Sequence, residues 1–168
     1  DVELNWPEGQ TSRRNIGISW ALLALAKDKE VLKDALKAVS SNSMTLAIYA
    51  LRALHPIDCA EREIAISIFY ERWKDKPVIL DTWFEYVSSM PQKNCLDNVK
   101  KLLDHPKFDR KAPNVVRAVL GGFSRNIVSF HSIDSSGYEF IAGQLIELDK
   151  RNPITASRLA KVFIRWQN

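Results

Sequence analysis

Few side chains in this sequence are of types that do chemistry, and their spacing excludes the commoner catalytic centres. Three histidines, His55, His105 and His131, are scattered along the chain, and no H-E-x-x-H run is present to hold zinc beside a glutamate base. His55 and His105 each precede a proline, where a helix must end, so their rings are expected to cap the last carbonyls of a helix. His131 stands three residues before Asp134, a spacing at which a carboxylate can orient an imidazole, yet no nucleophile is tied to the pair. Cys59 and Cys95 lack C-x-x-C spacing and read as two buried reduced thiols. Gly121-Gly122 falls late in a helical pattern and not after a strand, so it is no phosphate loop. The residues supply no catalytic set, no metal-ligand set and no cofactor site.

Composition narrows the remaining classes. With 168 residues, 46% of them hydrophobic, the chain is long enough for one domain with a substantial core. A net charge of +4 and a pI near 9.1 meet a crude criterion for nucleic-acid binding. The densest basic stretch, Lys107, Arg110, Lys111 and Arg117, is however diluted by Asp104 and Asp109, so a solvated face is expected and no nucleic-acid partner. The longest apolar run, GISWALLALA, falls short of the roughly 18–20 residues that span a bilayer, so no membrane span is expected. The chain starts without Met, and an apolar stripe is still running at Trp166. Residues 1–168 are therefore expected to be a single helical domain cut from a longer polypeptide; the compartment is not fixed by these residues, the cytoplasm being favoured.

The elements that must position these residues are helical throughout. After a loop over Asp1–Ser12, a helix from about Arg13 to Ala26 is apolar on most sides and is expected to be interior. Asp28 is placed to cap the next helix, and a third ends at His55-Pro56. Asp58-Cys59-Ala60-Glu61 fits a capping box at the head of a long helix carrying Ile64, Ala65, Ile68, Phe69 and Trp73. Pro77 and Pro113 each sit at a first helical position, with a shorter helix introduced by Asn94 and Asp97 between them. Trp73, Trp83, Phe84 and Tyr138 fall on apolar faces and read as core. About nine helices and no strand emerge, in pairs recurring every ~35–40 residues, the period of HEAT or armadillo arrays. The fold class is all-α: an irregular α-solenoid of antiparallel helix pairs, with a compact bundle as the alternative.

Phe130 to Leu159 is the most specific stretch. Tyr138, Ile141, Ala142, Leu145 and Leu148 form one face of a helix, with Ser135 and Ser136 as its candidate caps. Gly137 lies just inside, where a missing side chain permits a tight turn or a close backbone approach. Asn152-Pro153 reads as the cap and first residue of a second helix, bearing Ala156, Leu159, Ala160 and Phe163, which must pack on the one before it.

This stretch, FHSIDSSGYEFIAGQLIELDKRNPITASRL, resembles the C-terminal helical domain of aminopeptidase N, a gluzincin zinc metallopeptidase, in its bacterial-type branch. The family pattern runs F-H-x-x-D-G-S-G-Y-x-F, then L-D-x-x-N-P-Q-x-A-S/A-R-L. Phe130, His131, Asp134, Ser136, Gly137, Tyr138 and Phe140 match its first part; Leu148, Asp149, Asn152, Pro153, Ala156, Ser157, Arg158 and Leu159 match its second. Pro113-Asn114 with Arg117-Ala118 resembles N-P-N-x-x-R-A, Asp81-x-Trp83-Phe84 resembles D-x-W-F, and Asn42-Ser43-Met44-Thr45 resembles N-N-M-T. The resemblance implies a helical domain that covers a catalytic domain of the same polypeptide and encloses a chamber for peptide substrates. Zinc, its ligands and the general base would belong to that other domain, leaving this chain inactive alone. Three departures stand out: Ser135 replaces a glycine, Ala112 replaces a better-capping asparagine (about 1 kcal/mol), and Ile154 replaces a glutamine that in relatives reaches toward the pocket for the first substrate side chain. Ile154 is thus expected either to make that pocket more apolar or simply to pack in its helix, and Arg158, one turn on, either to face the chamber or to pair with Asp149. His131, Asp134, Gly137 and Tyr138 are expected to hold the turn together, Asn152 to cap and Arg117 to brace the turn from the side. The alternative reading is a stand-alone α-solenoid interaction module without catalysis.

Overall fold

Helix starts and stops in this chain are written by short polar side chains, and the computed structural model, which describes residues 8–92 and 94–164, shows most of them engaged. The chain separates into two compact units, Asp1–Trp73 and Lys74–Asn168. No strand occurs among the described residues.

The first unit holds α1 (Glu8–Leu25), α2 (Lys29–Val39), α3 (Met44–Leu54) and α4 (Ala60–Trp73). Asp28 Oδ1 accepts from the Glu30 and Val31 amides at 3.0 and 3.1 Å, the cap that its sequence position implies. Lys27, just before it, takes a left-handed conformation with φ 58°, and the Lys27 and Asp28 amides reach back to Ala24 O and Leu23 O, closing α1 in a Schellman turn. α3 packs on both α1 and α2, and α4 packs on α2. Small side chains make this close approach feasible: Ala24, Ala35, Ala47, Ala50, Ala53 and Ala65 are all buried, with Leu51, Leu54 and Phe69 filling the space between.

Three expectations fail in this unit. α1 begins five residues early, at Glu8 (residues 1–7 lie outside the described ones), and it is not interior: Ile18, Leu22, Leu23 and Leu25 are 50%, 65%, 45% and 59% exposed. Its apolar girth exceeds what α2 and α3, the helices packed against it, cover. Asp58 does not form a capping box; its carboxylate takes the Arg62 guanidinium at 2.8 Å. Arg62 is 2% exposed and also reaches Glu63 at 2.9 Å, so its buried stem is compensated by two acids at the surface.

The second unit holds α5 (Pro77–Ser88), α6 (Cys95–Leu103), α7 (Pro113–Phe123), α8 (Ile127–Phe130), α9 (Ser136–Asp149) and α10 (Pro153–Ala160), with a 3-10 turn over Lys161–Phe163. α8 is the one helix beyond the expected nine; a single turn is too short to show a 3.6-residue period. α5 and α7 make the most extensive contact, α6 packs on both, and α10 packs on α9 and α7. Gly122 is what lets α5 and α7 meet. A Cβ there would stand 2.1 Å from Ser88 Oγ and 3.0 Å from Glu85 O. The Ser88 hydroxyl, wholly buried, lies 3.1 Å from both Glu85 O and Ala118 O, bridging the two helices. Asn126 ties α8 down: its amide nitrogen donates to Met90 O, while its oxygen accepts from Ser129 N at 3.1 Å. Ser129 Oγ adds a bond to Gln92 O at 3.2 Å.

Trp83 and Phe84 lie in the core, and Trp73 and Tyr138 are half-buried. His105 caps differently from expectation. Its Nδ1 accepts from the Lys107 amide at 3.1 Å, and its ring packs on Trp83 and Phe84. Both cysteines are free thiols, Cys95 buried and Cys59 half-buried, and burial raises the pKa of each.

Candidate functional site

The turn between α8 and α9 is built on one carboxylate. Asp134 Oδ1 accepts from Ser132 Oγ at 2.6 Å and from the Ser136 amide at 3.0 Å. Those hydrogen bonds, the serine hydroxyl first and the amide second, hold its pKa down to about 2. The cap of α9 is therefore Asp134 and not Ser135 or Ser136. Ser135 occupies the cap position without a side-chain bond, at φ 62° and ψ 5°, the left-handed region that a glycine enters without cost. The departure Gly-to-Ser noted in the sequence falls on the one residue of the turn with positive φ.

Gly137 sits where α9 crosses the chain of α8. A Cβ on it would lie 2.5 Å from Phe130 O and 2.6 Å from Ser129 O. With the backbones this close, the aromatic side chains converge. Phe130, fully buried, meets the His131 ring at 4.7 Å, Tyr138 at 4.9 Å and Phe123 at 6.2 Å, all edge-to-face. Phe163, from the 3-10 turn, lies against Phe130 and Tyr138.

The expected pairing of His131 with Asp134 does not form. His131 Nδ1 bonds the Tyr138 hydroxyl, and Asp134 faces the two serines. Desolvation lowers the His131 pKa, so the ring is neutral at pH 7. A neutral imidazole whose Nδ1 is taken by the Tyr138 phenol, with the nearby Ser132 hydroxyl bound to Asp134, braces the turn. The sequence offered a signal for this arrangement in Ser132-x-Asp134, a spacing suited to a local side-chain bond, which the pairing with His131 overlooked.

The remaining site residues are placed apart from this turn. Asn152 Oδ1 accepts from the Thr155 amide at 3.0 Å and caps α10. Ile154 is 69% exposed, so it does not pack within its own unit, and Arg158, one turn on, is exposed beside it. Among the described residues Arg158 forms no ion pair with Asp149. Arg117 does not brace the turn. Its guanidinium donates to Asn114 Oδ1 at 2.7 Å, and its charge acts on half-buried Asp81, whose pKa burial raises. A groove beside α10 is lined by Arg158, Lys161, Val162, Ser124, Arg125 and Ile127, giving it a cationic rim.

Among the described residues no three His, Cys, Asp or Glu side chains are grouped to hold a metal ion, so none is assigned to zinc. No helix among them is long and apolar enough to cross a membrane.

Comparison with known proteins decides the lineage. The family described as "Domain of unknown function (DUF3458_C) ARM repeats" matches residues 5–168. The chain belongs to this ARM-repeat family. Its all-helical build and the expected armadillo-like pairing agree with that membership. Three curated relatives are each named Aminopeptidase N. That of Escherichia coli is 35% identical over 126 residues, covering 74% of this chain and 14% of the relative. Those of Haemophilus influenzae and Caulobacter vibrioides are both 32% identical, over 128 and 129 residues, each match covering 76% of this chain and 15% of the relative. Among solved structures, Legionella pneumophila aminopeptidase A in complex with aspartic acid superposes with a TM-score of 0.85 at 29% identity, covering 95% of this chain and 19% of that one. The ARM-repeat chain thus spans about 15% of the length of the relatives it matches. The resemblance drawn from residues 130–159 and this wider similarity point to the same proteins.

Proposed function

We propose that this ARM-repeat chain is the helical domain of a zinc-dependent aminopeptidase of the N type. In this reading it covers the active-site chamber and helps select the peptides from which N-terminal residues are removed. The superposition on an aminopeptidase over 95% of the chain carries the reading. The partner is a catalytic domain of the same polypeptide. The apolar side chains that α1 leaves exposed support such a neighbour, since rows of leucine are seldom left to water. In this reading zinc and the general base belong to that partner; among the described residues no three His, Cys, Asp or Glu side chains are grouped to hold a metal ion.

The part played by this domain is selection, not bond cleavage. Ile154 and Arg158 stand one turn apart on α10, both exposed and so both available to a peptide. An isoleucine can neither donate nor accept a hydrogen bond. A polar or basic first side chain brought against it is desolvated without return, at a cost of roughly 1–3 kcal/mol. Arg158 supplies a cation toward the backbone carbonyls or carboxylate of a short peptide.

Two measurements test this. Purified residues 1–168 are expected to release no fluorophore from leucyl-aminomethylcoumarin, with or without added zinc; turnover above blank defeats the assignment of chemistry to another domain. In the full-length enzyme, Ile154→Gln is expected to lower the leucine-to-arginine ratio of kcat/KM by about fivefold or more, from the desolvation cost above. An unchanged ratio removes Ile154 from the specificity pocket.

A further inference from the structure

A second hollow in the Lys74–Asn168 unit is lined by α6, α7, α9 and the turns that follow α6 and α9. It encloses about 160 Å³. Its floor is hydrocarbon: Leu103, Val116, Leu120 and Leu148 are buried side chains, and Phe108 is half-buried. Its rim is cationic. Arg110 stands with its guanidinium carbon 5.8 Å from the centre of the Phe108 ring, and Arg151 enters from the turn after α9. An adjoining hollow of about 90 Å³ shares Arg110, Val116, Leu148 and Arg151 and adds Lys111.

The balance of charge is one-sided. Glu147 is the single acid of the lining, and its carboxylate is taken by Lys150 at 2.6 Å, outside the lining set. Among the described residues neither guanidinium bonds a carboxylate, and the Gln144 amide on the same wall has no side-chain partner. Two arginines at the rim of one apolar floor, whose single acid Glu147 is held by Lys150, are arranged for an anion that brings its own hydrocarbon. Guanidinium forks suit carboxylate and phosphate alike. The apolar floor favours carboxylate, which is more easily desolvated than a dianionic phosphate. The size sets the rest. The space is below the roughly 300–1,000 Å³ of pockets for drug-sized ligands, so the occupant is smaller than a nucleotide or a folded peptide end.

We propose that this hollow binds a small free monocarboxylic acid with an apolar side chain, its acid group between Arg110 and Arg151 and its hydrocarbon on Val116, Leu120 and Leu148. The site is separate from the Ile154–Arg158 surface and does not depend on the reading of that surface as part of a peptidase. Because α9 supplies Gln144, Glu147 and Leu148 to it, occupancy ties α9 to α7.

The test uses the full-length polypeptide and N-acetyl-leucine, which lacks the free amino group of a peptidase substrate, with binding read by saturation-transfer NMR and isothermal titration. N-acetyl-leucine is expected to bind, and N-acetyl-leucinamide and acetate are expected to bind at least about tenfold more weakly, the first for want of a charged hydrogen bond and the second for want of hydrocarbon to bury. Arg110→Met and Arg151→Met each remove an exposed guanidinium, leave folding intact, and are expected to weaken the acid about tenfold. Lys100→Met, an exposed α6 cation outside the lining, is expected to change nothing. Equal binding of acid and amide overturns the proposal. So does binding unaffected by both arginine changes, displacement by inorganic phosphate at the same concentration as the acid, or binding seen only with an acetylated tetrapeptide ending in leucine.

Discussion

Replacing Gly137 by alanine places a methyl group where the backbone of α8 already stands. The added carbon would lie 2.5 Å from Phe130 O, 2.6 Å from Ser129 O and 2.8 Å from Phe130 Cα. No side-chain rotation can relieve contacts with main-chain atoms, so α8 and α9 must separate. α8 resists, because Asn126 and Ser129 tie it to Met90 O and Gln92 O. Overpacking of this kind costs roughly 1–3 kcal/mol, and an immovable backbone argues for the upper end. Alanine in place of glycine in a helix returns at most about 1 kcal/mol, leaving a net loss of about 2 kcal/mol. Gly143 supplies the control within the same helix: a Cβ there meets nothing within 4 Å. Gly143→Ala is therefore expected to stabilise by up to about 1 kcal/mol. The two alanines, six residues apart in one helix, should differ by about 3 kcal/mol, over a hundredfold in folded-to-unfolded ratio. Urea unfolding followed by far-UV circular dichroism, fitted with a shared slope, measures the difference. Hydrogen exchange of the α9 amides locates it. If the two variants prove equally stable, the close crossing of α8 and α9 is refuted, and with it the reason for a glycine at this place.

Three further outcomes follow from the same geometry. Ser135→Gly and Lys27→Gly relieve the two left-handed residues other than glycine among the described residues; each should raise stability by about 1 kcal/mol, less the entropy that glycine adds to the unfolded chain, and a lower melting temperature in both would contradict their conformation. Asp134 titrates near 2 in the fold against 3.8 for the free side chain, so the stability that it contributes is complete above pH 4 and is lost as pH falls through 2; the gap between wild type and Asp134→Ala should close over that window, and a carboxyl resonance titrating near 4 would exclude its bonds to Ser132 and Ser136. Asn126→Ala removes the α8 cap and the donor to Met90 O from a residue 2% exposed, a loss of about 2 kcal/mol in urea unfolding; a change below about 0.5 kcal/mol would show that α8 does not need this tie.

Much of the architecture could be read along the chain, because capping and periodicity are local. Asp28 and Asn152 cap the helices that their positions implied, and Pro77 and Pro113 open α5 and α7. Reading failed where distant segments compete for a group. The spacing of His131 and Asp134 suggested a pair, but the left-handed bend at Ser135 turns the carboxylate onto two serines, and the crossing at Gly137 delivers Tyr138 to the imidazole instead. Arg117 was expected beside that turn and is held by Asn114 one helical turn away. The apolar girth of α1 implied burial, which the pattern of one helix cannot establish, since burial belongs to whatever packs against it.

Residue order alone determined that this chain is all-helical, where most helices begin, and which stretch carries the family pattern. Those properties depend on bonds and periodicities spanning a few residues. Only the tertiary structure decided that Gly122 and Gly137 mark crossings of backbones, that Ile154 and Arg158 are left to solvent, and that Arg110 and Arg151 line one apolar hollow. Each of these joins residues 30 or more apart, or depends on the packing of whole helices, and no local pattern encodes that distance.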